Sequence, residues 1–544
     1  MINKLIFNGK YSLLFFSIFI FLIFTIFIAV SGYFQIGLLS DDYLNFISAQ
    51  SSTLLQKFTS SVPYYNSLHL RPLWFISINL SIAVNNLFDS AKDNFIFFRI
   101  ENLIYFYVLI FLAANLFYKI TKRLYFSVAL ILICLLYPNN LNDICWTAGK
   151  VDLLCGVFIF AALNFVFSYT ESSTDIKMYF TGFFFLLALL TKETSVILPF
   201  ITIMLVLLVY NKEKVFEMKK LIGFQFLVLI IYFSYRVFLL GLKPKEVATA
   251  FQSPGLLSSL SVSFKAFLSI IVPYDYLSIQ NNVYEQNTLF LIYFFVILIV
   301  MISVLFILIR KGKYGYLGIL TLIFLISIAP NIIAGYFRPQ LALIPFIIFF
   351  FSLLIVFTKL DINLRYFQII LILVLLLFSK LSNSLILEWK YAYDVSVTSI
   401  KSLIDVNIDT QRRNIVIGLP SRFKQAHMLD YATGAYNYWK YGEFVLKDRI
   451  IDIVLVGGLD INSLNSEIVI NELSPTEFEL QTTGETGYFI QLDAFRSKYK
   501  DRDIELRLSE MNLFRKPTYL GMRILSDKVD IYITTKDGFR KLKK

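Results

Sequence analysis

The sequence is poor in the residues that build covalent or metal-held scaffolds. Three cysteines stand in 544 residues, Cys134, Cys145 and Cys155, all in or beside apolar runs. They are too few and too poorly spaced for a disulfide framework or a zinc site. There are only two histidines, and neither His nor Glu is clustered as a tight metal centre would need. Charge is scarce as well: Asp, Glu, Lys and Arg make up 16% of the chain, against about 25% in a soluble domain. With 57% hydrophobic residues and a mean hydropathy of +0.67, a water-soluble fold is excluded. No low-complexity linker, internal repeat or tetratricopeptide period is visible.

What is abundant is aromatic. Phe and Tyr number 56 and 33, which suits lipid-facing surface and interfacial belts. The net charge of +12 comes from short basic clusters between apolar runs, so it reads as a topology signal and predicts no nucleic-acid partner.

Eleven apolar runs read as spanning helices: 11–30, 94–117, 124–137, 151–169, 178–190, 195–210, 221–240, 288–309, 314–333, 341–357 and 366–381. The first is longer than a signal-peptide core and lacks a small-x-small cleavage site, so it is expected to be retained. With a cytoplasmic N-terminus, the clusters Lys119/Lys122/Arg123, Lys212/Lys214/Lys219/Lys220, Arg310/Lys311/Lys313 and Lys359/Arg365 all fall inside. An odd count of spans then puts the tail outside, in an integral protein of a bacterial inner or plasma membrane. Residues 71–88 would break this parity as a span and read instead as a helix lying in the outer interface. The outer loops of note are 31–93 and 241–287, the latter with its own interfacial stretch at 256–272. Residues 1–384 thus form an all-α polytopic bundle. Residues 385–544 change to short apolar runs separated by turn residues, at Ile415, Ile451, Glu467, Gly487 and Val529, and predict an extracytoplasmic β-rich or α/β domain.

The charged residues on the outer side carry the chemistry. Asp41 and Asp42 directly follow the first span. They are either interfacial punctuation or a general base and cation ligand, since adjacent carboxylates repel and raise one another's pKa. His69 and Arg71 open the interfacial helix, with Pro72 suited to its first turn. They read as a solvated helix start or as a phosphate clamp, Arg71 pairing the phosphate and His69 donating to it. Lys150 and Asp152 enter a span, where charges face a cavity or one another. Lys192 and Glu193 form a charged turn between two short runs, either as an internal salt bridge or with Lys192 poised for an anion and Glu193 fixing it. Arg338 is a lone outer cation and a further candidate ligand for an anion.

Taken in order, DDYLNF at Asp41, HLRPLWFISINL at His69, WTAGKVDLLCGVFIF at Trp146, LLTKETSVILPF at Leu189, SIIVPYDYLS at Ser269 and GYFRPQLALIPF at Gly335 resemble the C-type (GT-C) integral-membrane glycosyltransferases. The likeness is to protein O-mannosyltransferases, their tetratricopeptide-bearing relatives and lipid A aminoarabinose transferases, and it covers about residues 1–381. It implies a polyprenyl-phosphate sugar donor, transfer outside the cytoplasm and an acidic residue of the first outer loop at the catalytic centre, which Asp41 matches, with Asp42 the second acidic position. Asp152 matches the acidic residue of the second outer loop, and Lys192 the basic residue after the short helix. The resemblance leaves the acceptor unnamed and a divalent cation open. A transporter or lipid flippase is the alternative from another class, and an O-antigen ligase or polymerase the alternative among lipid-linked sugar enzymes.

Overall fold

The computed structural model describes residues 9–542 except 60, 66–68, 89–94, 241–254, 273–293, 296–305, 307–308, 311, 336, 361–363, 407, 410–411, 421, 424–425, 430–431, 449, 458–467, 483–487, 492–497, 501–502, 509–518, 527 and 536–537. Among the described residues up to Asp405 the elements are helices: α1 Gly9–Val30, α2 Asp42–Gln50, α3 Leu54–Phe58, α4 Pro72–Leu87, α5 Ile96–Thr121, α6 Leu124–Leu136, α7 Pro138–Cys145, α8 Lys150–Glu171, α9 Asp175–Thr191, α10 Leu198–Val209, α11 Lys212–Glu217, α12 Lys219–Leu240, α13 Leu256–Ile271, α14 Tyr314–Ala334, α15 Leu343–Lys359 and α16 Leu364–Asp405.

Among the described residues, six helices are long and apolar enough to cross a membrane: α1, α5, α8, α12, α14 and α16. A seventh is gained if α6 and α7, bent by 60° at their junction, are one broken span. These helices fit a membrane protein. The count falls below the expected eleven for two reasons. The run at 288–309 lies largely outside the described residues. The runs at 178–190, 195–210 and 341–357 fold as α9, α10 and α15, of 17, 12 and 17 residues. At 1.5 Å per residue such helices reach only about 18–26 Å, short of a hydrocarbon core of about 30 Å.

Proline sets two of the turns that matter. Pro138 occupies the first turn of α7, where its missing N–H costs nothing but where it cannot continue α6, so the chain bends. Pro72 does the same for α4. That helix is not simply laid on the interface as expected: Trp74, Phe75, Ile78 and Ile82 are buried, and it packs against α2, α9 and α5, so protein covers its apolar face.

The bundle's last helix, α16, runs unbroken for 42 residues through the boundary expected at 384 and carries the chain to the strand-rich region. There β1 Arg413–Leu419, β2 Arg422–Phe423, β3 Ala426–His427, α17 Ala432–Tyr441, β4 Ile450–Gly457, β5 Ile468–Ser474, β6 Glu477–Thr482, β7 Tyr488–Gln491, β8 Lys498–Lys500, β9 Ile504–Leu508, β10 Tyr519–Ile524, β11 Val529–Thr535 and β12 Gly538–Lys541 follow. One sheet has the order β12-β11-β1-β4-β7, with β1 parallel to both neighbours. The second, β5-β6-β10-β9-β8, is antiparallel. Ile415, Ile417, Leu480, Leu506, Leu520 and Ile533 form the apolar core that the sheets share. The β2–β3 hairpin and α17 stand apart from this core and pack with the helical bundle instead.

Candidate functional site

Asp41 is the N-cap of α2 and is half-buried, whereas Asp42, the first residue of that helix, is fully buried. The Asp42 carboxylate accepts the amide of Leu39 at 3.0 Å and that of Ala148 at 2.7 Å. Burial pushes its pKa from 3.8 up to about 6, and the amides and the charge of Arg99 work against that rise. Asp42 turns inward as a tether between the α2 turn and the turn before α8, and it is burial that raises its pKa. Asp41 keeps different company. Burial pushes the Tyr65 hydroxyl up to about 12, Arg71 opposes this, and the charges of Glu193 and Asp41 add to it. Asp41 thus shares its surroundings with Tyr65, Arg71 and Glu193.

These residues form a compact network. Arg71 donates from Nε to Glu193 Oε2 at 3.0 Å, from Nη2 to Oε1 at 2.6 Å, and from Nη1 to the Tyr65 hydroxyl at 3.2 Å. His69 Nδ1 lies 3.0 Å from Glu193 Oε1. A two-pronged guanidinium–carboxylate contact of this kind is both strong and directional. Glu193 does not fix Lys192, as the sequence suggested; it holds Arg71 and His69.

Lys192 instead pairs with Asp152, its Nζ donating to both carboxylate oxygens at 2.6 and 2.7 Å. Lys150 is fully buried and pairs with Glu101 of α5 at 2.7 Å, and also donates to Ser81 of α4. The pairing of Lys150 with Asp152 is thus not formed. Residues two apart on a helix do not face each other, so Lys150 reaches toward α5 and Asp152 toward the turn after α9. Lys192 and Glu193, adjacent in a turn, diverge in the same way.

Two participants escaped the sequence reading. Asp143 on α7 is fully buried, and neither of its carboxylate oxygens has a hydrogen-bond partner among the described residues. It lies within the fields of Asp152 and Lys192. Gly149 makes its position possible, because a Cβ there would sit 2.3 Å from the Asp143 carbonyl oxygen. Arg99 is the second, fully buried and donating to the carbonyls of Ile144, Cys145 and Gly37 and to the Thr147 hydroxyl. A cation there satisfies the carbonyls that end α7 and braces the turn that tethers Asp42. The signal for Asp143 was present, since a carboxylate beside an apolar run is costly unless it has work to do.

Asp152, Lys192 and Thr194 line one wall of a narrow crevice, and Ser327 and Asn331 of α14 with Leu341 line the other. Arg338 is exposed, three residues before Leu341, and does not join the crevice wall. Among the described residues no group of three His, Cys, Asp or Glu is placed to hold a metal ion. Comparison with family models gives no match, and comparison with curated proteins gives none either. The arrangement must therefore be read from its own chemistry. Its cations are already paired, Arg71 with Glu193 and Lys192 with Asp152. An anionic ligand in the crevice has to share Lys192 with Asp152.

Proposed function

We propose that the chain is an integral-membrane glycosyltransferase that moves a sugar from a polyprenyl-phosphate donor to an extracytoplasmic acceptor, a protein, lipid or glycan. The observation that carries this reading is Lys192, a buried ammonium at the wall of a crevice between helices, with a half-buried carboxylate, Asp41, in the adjoining network. A lipid-linked phosphate needs a site between helices, with its tail in the bilayer and a cation at headgroup depth. As the bond from sugar C1 to the phosphate oxygen breaks, the leaving polyprenyl phosphate takes the electron pair, and the developing charge strengthens its interaction with Lys192. Asp41 accepts the proton of the acceptor hydroxyl or amine while the acceptor atom bonds to C1. In this reading Arg71 and His69 hold Glu193, Tyr65 steadies Arg71, and together they shape the wall beside Asp41; the N-terminus is cytoplasmic with the strand-rich domain outside, in a bacterial plasma membrane.

The test is transfer from a radiolabelled polyprenyl-phosphate sugar by the purified protein in nanodiscs. Asp41→Asn should lower the rate by about 10² to 10⁴, the usual cost of losing a general base. Transfer at the parent rate would end the mechanism. A transporter or flippase is favoured by one observation, the 60° break between α6 and α7, because transporters bind at discontinuous helices. Such folds pair their broken helices by repeat symmetry, and among the described residues there is one break. Movement of the lipid across proteoliposomes without sugar transfer would support that reading instead.

A further inference from the structure

The turn that presents Asp41 is strained. Ser40 has a φ of 53°, in the left-handed region that a non-glycine residue occupies only when its surroundings hold it there. Part of the hold is local, through the Asp42 tether. The rest comes from far along the chain. The buried Ser40 amide donates to the Met428 carbonyl at 2.6 Å, just after β3. The preceding residue, His427, is buried and stacked on Trp146 with ring centroids 5.2 Å apart and planes at 24°. Trp146 stands two residues before Ala148, whose amide holds Asp42. The hairpin therefore touches both turns that Asp42 ties together.

A second element bears on the same place. Gly434 of α17 faces the start of α2 so closely that a Cβ there would lie 3.0 Å from the Leu44 amide nitrogen and from Tyr43 Cβ. Trp439 of the same helix donates from Nε1 to the Tyr43 hydroxyl at 3.0 Å. Phe444, beyond it, packs on Phe46 at 5.0 Å. Each of these contacts falls on the turn or on the helix it begins.

From this we infer that the β2–β3 hairpin and α17 form a clamp that sets the direction of the Asp41 carboxylate. His427, Met428 and Gly434 act as positioning residues for a site that the bundle alone leaves incomplete. The inference rests on the proposed function only for its catalytic consequence; the clamp itself is a statement about the backbone at residues 39–43.

Full-length protein in nanodiscs tests it by hydrogen–deuterium exchange. His427→Ala removes the stack, and Gly434→Val drives side-chain atoms against Leu44 and Tyr43. Either should speed amide exchange of the 39–43 segment by at least about tenfold, with the spanning helices unchanged. His427→Phe keeps a ring over Trp146 and should restore protection. In the transfer assay the two disruptive variants should lose kcat at an unchanged KM for the lipid-linked donor, because Lys192 and Asp152 are untouched. Exchange at the parent rate in both variants would overturn the clamp. So would loss of protection throughout the chain, which would make these contacts a requirement of folding and not of the turn. If local protection falls as expected while even the parent shows no transfer, the clamp stands and the glycosyltransferase reading falls.

Discussion

Asp42→Asn separates the two acidic neighbours by pH. In the folded protein the Asp42 carboxyl titrates near 6, raised from 3.8 by burial. A group whose folded-state pKa is raised binds its proton more tightly when folded. The stability it contributes is therefore fully present below about pH 3.8 and is lost as pH rises through about 6. That rise is worth about 3 kcal/mol, and because Asp42 is fully buried, solvent screening takes little from it. Asparagine has no proton to lose and should show no such slope. It carries its own cost, since one carbonyl oxygen can replace only one of the two acceptors now used by Leu39 and Ala148, leaving a buried N–H against the amide group at about 1–3 kcal/mol. The variant should thus be clearly less stable than the parent at pH 4, and the gap should close or reverse by pH 7. Melting curves of parent and variant in the same detergent, from pH 4 to 7.5, measure the difference, in which all other titrating groups cancel. If the two run parallel across that range, Asp42 does not titrate in the folded protein and the tether is wrongly described.

The remaining predictions concern charge partners and orientation. Lys192→Met should cost about 3–5 kcal/mol, because Asp152 would be left buried without its cation; adding Asp152→Asn should recover part of that loss, and a double-mutant cycle with no coupling would refute the pairing. Lys150→Met should destabilise to a similar degree through Glu101 without weakening binding of a polyprenyl-phosphate sugar, measured on the purified variant, whereas Lys192→Arg should keep the fold and weaken that binding. For orientation, a cysteine at the exposed Ser51 should react with a membrane-impermeant thiol reagent in intact spheroplasts and one at the exposed Asn211 should not; the reverse pattern would invert the topology.

Much of the architecture was legible because lipid leaves few choices: long apolar stretches such as those of α1, α5 and α14 must be helices with their backbone bonded internally. The strand-rich tail was legible where apolar residues ran together, as in β1, β4 and β11. It was less so for β6 and β10, Glu477–Thr482 and Tyr519–Ile524, whose buried positions alternate with half-buried or exposed ones, so that no continuous apolar run marks them. Lengths were the weak point. Pro138 and the charged turn at Lys192 divide apolar sequence into pieces shorter than a bilayer, and composition alone does not tell a short span from a helix wedged among others.

The candidate site shows why naming charged residues is easier than pairing them. Asp42, Arg71, Lys150, Asp152, Lys192 and Glu193 were all visible as charges in apolar surroundings, and all are held in buried or half-buried contacts. Nearly every partner expected from proximity in sequence was wrong. Lys150 faces Glu101 and not Asp152, and Lys192 faces Asp152 and not Glu193, because adjacent or alternate positions on a turn or helix point apart and a buried charge must find its counterpart on another element. Three such pairs join α4 to the turn after α9, α5 to α8, and α8 to that same turn. The charges that look most like ligands for a phosphate thus also hold the helices in register. A phosphate that draws Lys192 away from Asp152 removes one of these links and leaves the buried Asp152 carboxylate without its cation. Binding of an anion in this crevice is therefore opposed by the Lys192–Asp152 pair that it has to break.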